Sequence, residues 1–310
     1  MFDITEEVSD FGAHDLFADL AWDASERLRL TGGVRWSTPT GEYRYRLEDR
    51  VTGTRIDDTR DKDDRNLVTG RVAALWSIDR SQVLKAIWGT SARDNEDIRF
   101  IEPERIETTE LVYVQTRQAW SLTASLFQNE VSNLLRFIQR IDPDTGRFVP
   151  VTKTDGEWRT RGLELIGELR LLPKLNLSAG LTWQSTEDRE TDVEPGYSPR
   201  LLGYLKADYR RGPLTYAAYA RYVGGMESDY TEVDGPDAVA FDRLGEPVDG
   251  YWDLGLNLRY RRPGAGLYAN LNISNLLDTE IRYPARDLTD FERGMIGPGR
   301  IVTVTLGWAF

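Results

Sequence analysis

The chain has 310 residues, no Cys and a formal net charge of -12. The lack of Cys rules out a disulfide framework and any thiolate metal site, and the acidic balance argues against a nucleic-acid partner. No window approaches the roughly 20 consecutive apolar residues of a membrane helix, whereas a transmembrane barrel needs only every second residue of each strand to be apolar.

Residues 1–14 are acidic and aperiodic and read as loop, without the basic and apolar regions of a secretory signal. From Asp15 the chain alternates. Leu16, Ala18, Leu20 and Trp22 share one face. After a turn at 24–27 come Leu28, Leu30, Gly32, Val34 and Trp36, opposite Arg29, Thr31, Gly33 and Arg35. Residues 39–66 are highly charged and read as a large polar loop with strand extensions. The cycle then repeats with Val68 to Trp76 opposite Arg71, a tight turn at Asp79-Arg80, and Leu84, Ala86 and Trp88 opposite Lys85.

A charged loop over 91–106 leads to strands headed by Leu111 and Trp120, and residues 128–157 read as loop with a small hairpin at P-D-T-G, 143–146. Leu163 to Leu171 face away from Glu164, Glu168 and Arg170, and Leu175 to Trp183 return after Pro173-Lys174. An acidic loop over 186–197 precedes Leu201 to Tyr209, which alternate with Lys206 and Asp208. Leu214 to Tyr222 alternate with Arg221, and 226–250 is the longest aperiodic stretch. Trp252 to Tyr260 oppose Asp253 and Arg259. R-P-G-A-G turns the chain at 262–266, and Leu267 to Ile273 precede a loop at 280–298. In the last strand Val302, Val304, Leu306, Trp308 and Phe310 occupy every second position.

Thirteen strands emerge, joined alternately by short turns and long polar loops. That asymmetry, with aromatic residues gathered near both strand ends, is the pattern of an antiparallel transmembrane β-barrel. Trp22, Trp76, Trp120 and Trp308 mark the short-turn end, and Trp36, Trp183 and Trp252 the long-loop end. Hydrocarbon would wet the Leu, Val and Trp rows. Water would wet a lumen lined by Arg29, Arg35, Arg71, Lys85, Glu164, Glu168, Arg170, Lys206, Asp208, Arg221, Asp253 and Arg259. A soluble sandwich or propeller with an aromatic core is the competing fold.

Catalytic chemistry finds little support. His14 is the one His and falls in a presumptive loop, where a solvated side chain is the ordinary role. Glu164 and Glu168 share a face but stand roughly 13 Å apart along a strand, too far for a glycosidase pair. They are expected to pair with Arg170 or Lys206. Asp57 to Asp64 lacks the turn Gly of a calcium loop. No metal or cofactor site is expected. Among the loops, Tyr230 and Phe241 are apolar anchors in an acidic stretch and are the candidate ligand contacts.

The end of the chain resembles the barrel of TonB-dependent outer-membrane receptors. The residues that carry the resemblance are Asn275-Leu276-Leu277-Asp278, Pro298-Gly299-Arg300 and the terminal Trp308 and Phe310, with supporting stretches at 161–165, 198–205 and 248–256. Leu277 stands where the family commonly has Phe. The resemblance implies a 22-stranded barrel in the bacterial outer membrane, a plug domain, and energy-coupled uptake of a small molecule or metal chelate such as a ferric siderophore. The partners would be the lipid bilayer and, through the plug, the TonB complex. No plug or TonB-binding box is readable in 1–310. With thirteen strands the first and last run parallel, so the chain is expected to be the carboxy-terminal part of a longer receptor barrel. A passive porin is the alternative function.

Overall fold

The computed structural model describes residues 2–49, 55–61, 66–93, 103–141, 146, 148–234, 239–261, 264, 266–286 and 291–308. The strands are β1 (Phe2–Asp23), β2 (Leu28–Asp49), β3 (Arg55–Asp61), β4 (Leu67–Asp79), β5 (Gln82–Arg93), β6 (Glu104–Thr116), β7 (Trp120–Ile141), β8 (Phe148–Leu172) and β9 (Leu175–Asp188). They continue as β10 (Leu201–Arg211), β11 (Leu214–Val223), β12 (Tyr230–Asp234), β13 (Val239–Arg243), β14 (Tyr251–Arg261), β15 (Leu267–Ser274), β16 (Arg282–Tyr283), β17 (Met295–Ile296) and β18 (Ile301–Trp308). No helix occurs among the described residues.

The main sheet runs β1-β2-β4-β5-β6-β7-β8-β9-β10-β11-β14-β15-β18, the thirteen strands read from the alternation. Each is antiparallel to its neighbour, so β1 and β18 point the same way. No ladder joins them among the described residues. Antiparallel closure of this sheet therefore requires an odd number of further strands between its two edges.

The register sorts the side chains into two faces. One row of paired neighbours is Trp22, Leu30, Ala74, Ala86, Leu111, Leu126, Leu163 and Trp183. It begins beside a short turn and ends beside a long loop, which is the stagger that tilts barrel strands against their axis. The same face carries Leu205, Ala220, Leu254 and onward to Leu271 and Val304. Its side chains are open to the surroundings: Leu20 is 72% exposed, Val304 65% and Leu306 72%. All seven Trp residues assigned to the two girdles are exposed on it. A cavity of about 1030 Å³ against this face is lined by Leu20, Trp22, Leu111, Leu126 and Trp183, so it offers acyl chains a groove rather than a polar ligand a site.

The opposite face is the crowded one. Leu67, Val112, Ser125, Thr186, Asp188 and Asp253 are buried and all lie there, which makes it the concave side. Four aromatic rings on this face lie over a glycine of the next strand: Phe127 over Gly162, Tyr204 over Gly180, Tyr219 over Gly255 and Tyr268 over Gly307. A methyl group on any of these glycines would overlap the ring. Each pair thus locks one register, since a slip of one residue would turn the ring to the other face.

Several stretches read as loop are strand. Residues 2–14 belong to β1, with His14 paired to Thr38, and 128–141 and 148–157 belong to β7 and β8; 39–49 belong to β2 and 55–61 to β3, the strand extensions expected within 39–66. Past the apolar belt both faces are wetted by water, so the alternation disappears while the backbone ladder continues. β7 and β8 pair as a hairpin up to Ile141 with Phe148, and residues 143–145 of the P-D-T-G motif lie outside the described residues. The same is true of 62–65, of most of the 262–266 turn and of Phe310. The stretch 226–250 contains the hairpin β12–β13.

Leu256 lies midway along β14 on the exposed face, and Asn257 beside it points to the concave face. Leu256→Arg is expected to lower the stability of the lipid-embedded protein by roughly 2–4 kcal/mol, while Asn257→Arg changes it by less than about 1 kcal/mol. Urea titration in phospholipid vesicles, read by tryptophan fluorescence, measures both.

Candidate functional site

The twelve charged residues assigned to a lumen all lie on the concave face. Charge is neutralised there across strands. Arg35 pairs with Asp15 at 2.9 Å, Arg71 with Asp19 at 3.0 Å, and Arg29 with Asp23 at 3.8 Å. The Arg71–Asp19 pair spans two strands because Gly33, between them in the register, leaves the space open. Arg221 meets the buried Asp253 at 3.0 Å. Asp208 accepts a hydrogen bond from Asn176 Nδ2 at 3.0 Å. Glu164 accepts one from Thr182 Oγ1 at 3.3 Å, not from the expected Lys206, whose Nζ lies 5.0 Å from the centre of the Tyr204 ring. Glu168, Arg170 and Asp208 come together with Arg117, Gln118 and Asn176 around a polar cavity of about 350 Å³ at the short-turn end. Lys85 and Arg259 stand on the same face beside Leu75 and Thr215.

At the long-loop end, the connections after β9, β11 and β15 fold into one cap. Val223, Met226, Val248, Tyr251 and Ile281 form its apolar core, with Leu202 and Tyr283 packed against them. Hydrogen bonds tie the three segments together: Asp229 N to Ala285 O at 2.9 Å, Glu246 N to Glu292 O at 2.7 Å, and Tyr197 Oη to Pro284 O. Ser228 is fully buried and donates to Gly245 O at 2.6 Å. These polar groups are satisfied inside the cap.

The anchors Tyr230 and Phe241 sit in this cap and contact each other edge to face, with ring centres 5.9 Å apart. The guanidinium of Arg243 lies 5.8 Å from the Tyr230 ring. The Tyr230 hydroxyl is committed: it donates to Asp188, a fully buried carboxylate at the top of β9. Asp188 also accepts from Trp158 Nε1 at 3.2 Å and from the backbone N–H of Glu190 at 2.9 Å. Arg136, itself buried, approaches Asp188 at 3.9 Å and Asp155 at 2.9 Å. Burial, and then the Asp188 carboxylate, push the Tyr230 phenol up to about 12, so it remains a donor throughout the physiological range. Asp188, Arg136 and Trp158 are absent from the sequence-based site. Extending the Thr182, Gln184, Thr186 row by one step would have reached Asp188. Among the described residues no group of three or more acidic or His side chains converges as a metal site would require.

The Asn275–Asp278 stretch closes the other side of the cap. Asn275 is buried and has a φ of 47°, and Asp278 has one of 56°, backbone conformations that Asn and Asp tolerate better than most residues. The Asn275 side chain donates to Thr279 O and accepts from Thr279 N, both at 2.8 Å, and its backbone N–H donates to Asp253 at 3.2 Å. Asp278 accepts from Arg300 N at 2.7 Å, which fixes the entry to β18. Gly299 leaves room for that carboxylate. Leu277 and Trp308 are exposed.

A family model described as TonB dependent receptor-like, beta-barrel matches residues 2–276. Among solved structures, the chain is similar to the ferric-catecholate import receptor Fiu of E. coli K12, with a TM-score of 0.72 and 19% identity over 97% of this chain and 44% of that one. It is similar to the copper transporter OprC, with a TM-score of 0.74 and 19% identity over 97% and 49% of the two chains. It is also similar to the ferric yersiniabactin uptake receptor FyuA of Yersinia pestis, with a TM-score of 0.69 and 16% identity over 96% and 44%. The chain thus spans a little under half the length of these receptors. No curated protein matches it.

The cap yields two predictions. Burial pushes the Asp229 carboxyl above its ordinary value, against the opposing pull of the Tyr230 backbone N–H and of Arg243 and Arg286. The folded cap therefore holds this proton more tightly than the unfolded chain does. Its stabilising contribution is full below about pH 3.9 and is lost as pH rises through the raised value. Amide exchange in 226–234 and 239–250, corrected for intrinsic rates, should show protection rising as pH falls through the raised value, and Asp229→Asn should flatten that slope. Asn275→Ala removes a buried clamp worth about 1–3 kcal/mol, and limited proteolysis of the folded protein is expected to cut faster within 279–298.

Proposed function

Because the chain belongs to the TonB-dependent receptor-like β-barrel family, we propose that it forms part of a receptor that takes up a scarce nutrient by energy-coupled transport. Barrels of this family are bacterial outer-membrane proteins, and the family is one of receptors and transporters. The observation that carries the proposal is the family match over residues 2–276, nearly the whole chain. Residues 1–310 are then one portion of a larger barrel domain.

In this reading the concave face is the lumen wall. Paired charges such as Arg71–Asp19 and Arg221–Asp253 present a wet, nearly neutral surface to a plug domain, and polar groups around Glu168 and Arg170 flank its periplasmic exit. The TonB complex acts on that plug. The substrate is a small molecule or metal chelate. The names of the similar structures, which include ferric-chelate receptors and a copper transporter, support a chelated or free metal as cargo. Phe241 and the Tyr230 ring meet it at the rim, through apolar contact rather than through the committed hydroxyl.

Cells carrying the full-length gene as their one receptor for ferric chelates are expected to accumulate iron from a siderophore panel, or copper under copper limitation. Accumulation is expected to stop when TonB is deleted. Uptake that persists without TonB would mark a passive pore and overturn the proposal.

A further inference from the structure

The hairpin that follows β11 does not stay above its own strands. β12 pairs in parallel with the upper end of β7, Val233 with Gln139 and Asp234 with Arg140. On its other side this part of β7 pairs with β8, so β12 occupies the place in the sheet that β6 vacates below. Across the wall that place lies five strand spacings from β11, about 24 Å, and the row of Val223 meets β7 at Ser125, fourteen residues below Gln139. The chain from Met226 to Val233 reaches at most about 25 Å, too short to follow the wall, so it cuts across the concave side and the upper end of β7 leans toward it. Its contacts mark that path. Tyr230 donates to Asp188 and lies 3.3 Å from the Thr191 hydroxyl at the top of β9, and Asp188 in turn binds Trp158 of β8 and Arg136 of β7. Trp158, Thr186 and Asp188 all belong to the concave face.

We propose that residues 226–234 are a strap across the outer mouth of the lumen, latched to the β7–β9 wall by the buried Tyr230–Asp188–Arg136 cluster, and that cargo enters past this wall only when the latch is released. A buried carboxylate that takes four donors, from Tyr230, Trp158 and the backbone N–H groups of Glu190 and Thr191, is costly to expose in part, so 230–234, with β13 paired to them, leave it as a unit rather than by fraying. The anchorage of its base is separate. Met226 bridges Val248, and both lie in the apolar core of the cap, so the hinge falls between Met226 and Tyr230. Ser228 and Asp229 occupy that interval: the Ser228 hydroxyl accepts from Gly245 N and donates to Gly245 O, and Asp229 O accepts from Leu244 N.

The gate rests on the uptake reading for what passes through it. Its test uses no substrate, so the two can fail separately. In the full-length receptor on intact cells, on a background without other reactive thiols, Val233→Cys with Gln139→Cys is expected to form a disulfide readily. With Tyr230→Phe added, the same pair should form it about tenfold more slowly, the change expected from losing one hydrogen bond to a buried charge. Single cysteines report the opening. Thr182→Cys, on the concave face below the strap, should react about tenfold faster with an impermeant polyethylene-glycol maleimide when Tyr230→Phe or Asp188→Asn is present. Ser185→Cys, on the outer face, should react equally in all variants. Heat-modifiable gel mobility establishes that each variant is a folded barrel. An absent disulfide at 139 and 233, or Thr182→Cys reactivity that neither latch substitution changes, would overturn the strap.

Discussion

Inside a hydrocarbon layer no water is at hand to bind a peptide N–H or C=O, so every backbone polar group must find its partner in the chain. Between its two edges the thirteen-strand path meets that demand strand to strand, and the outer edges of β1 and β18 would meet it through the further strands that closure requires. The rest of the architecture follows from it. A ladder leaves two faces, the bilayer takes the apolar one, and the side chains that need water are left the other. Exposed Leu, Val and Trp residues would be a liability in a water-soluble sheet. Here they are the outer coat, and among the described residues the buried apolar core is small and lies on the concave face and in the cap.

Because period-two alternation exists only where the two faces meet different solvents, it reports the belt and nothing beyond. All thirteen strands were legible, as were the short turns among the described residues and both sets of Trp residues. The upward extensions of β1, β7 and β8 were not, since residues such as Glu130, Arg159 and Glu187 project from the outward face into water just as their inward neighbours do. There strand structure survives on backbone pairing and on cross-strand ion pairs such as Arg159–Glu130 at 2.8 Å. Asp188 was hidden for the same reason. It looks like one more acid in an acidic stretch, and only the fold shows that it is buried under a tyrosine.

On the concave face the legible signal was charge, and the missed signal was glycine. Gly162, Gly180, Gly255 and Gly307 weaken a strand when considered alone, and nothing local explains them. Each is explained by a ring on the neighbouring strand. Apolar burial is scarce on a wall that faces water, so interlocking shape across the ladder supplies part of the register that a greasy core supplies elsewhere. The Arg71–Asp19 pair uses Gly33 in the same way, with a salt bridge in place of the ring.

The cap and the wall are coupled through one carboxylate. Asp253, within β14, binds Arg221 of β11 and receives the backbone N–H of Asn275, whose side chain closes the turn toward Thr279. Asp278 then sets the start of β18. A displacement of the cap base would therefore have to break bonds that also hold three neighbouring strands. The cluster at Asp188 stands on a different part of the wall and shares none of these partners. Motion at the rim is thus confined to the segment between the two anchorages. The cap can be rigid where it meets β11, β14 and β18 and still carry one arm that moves.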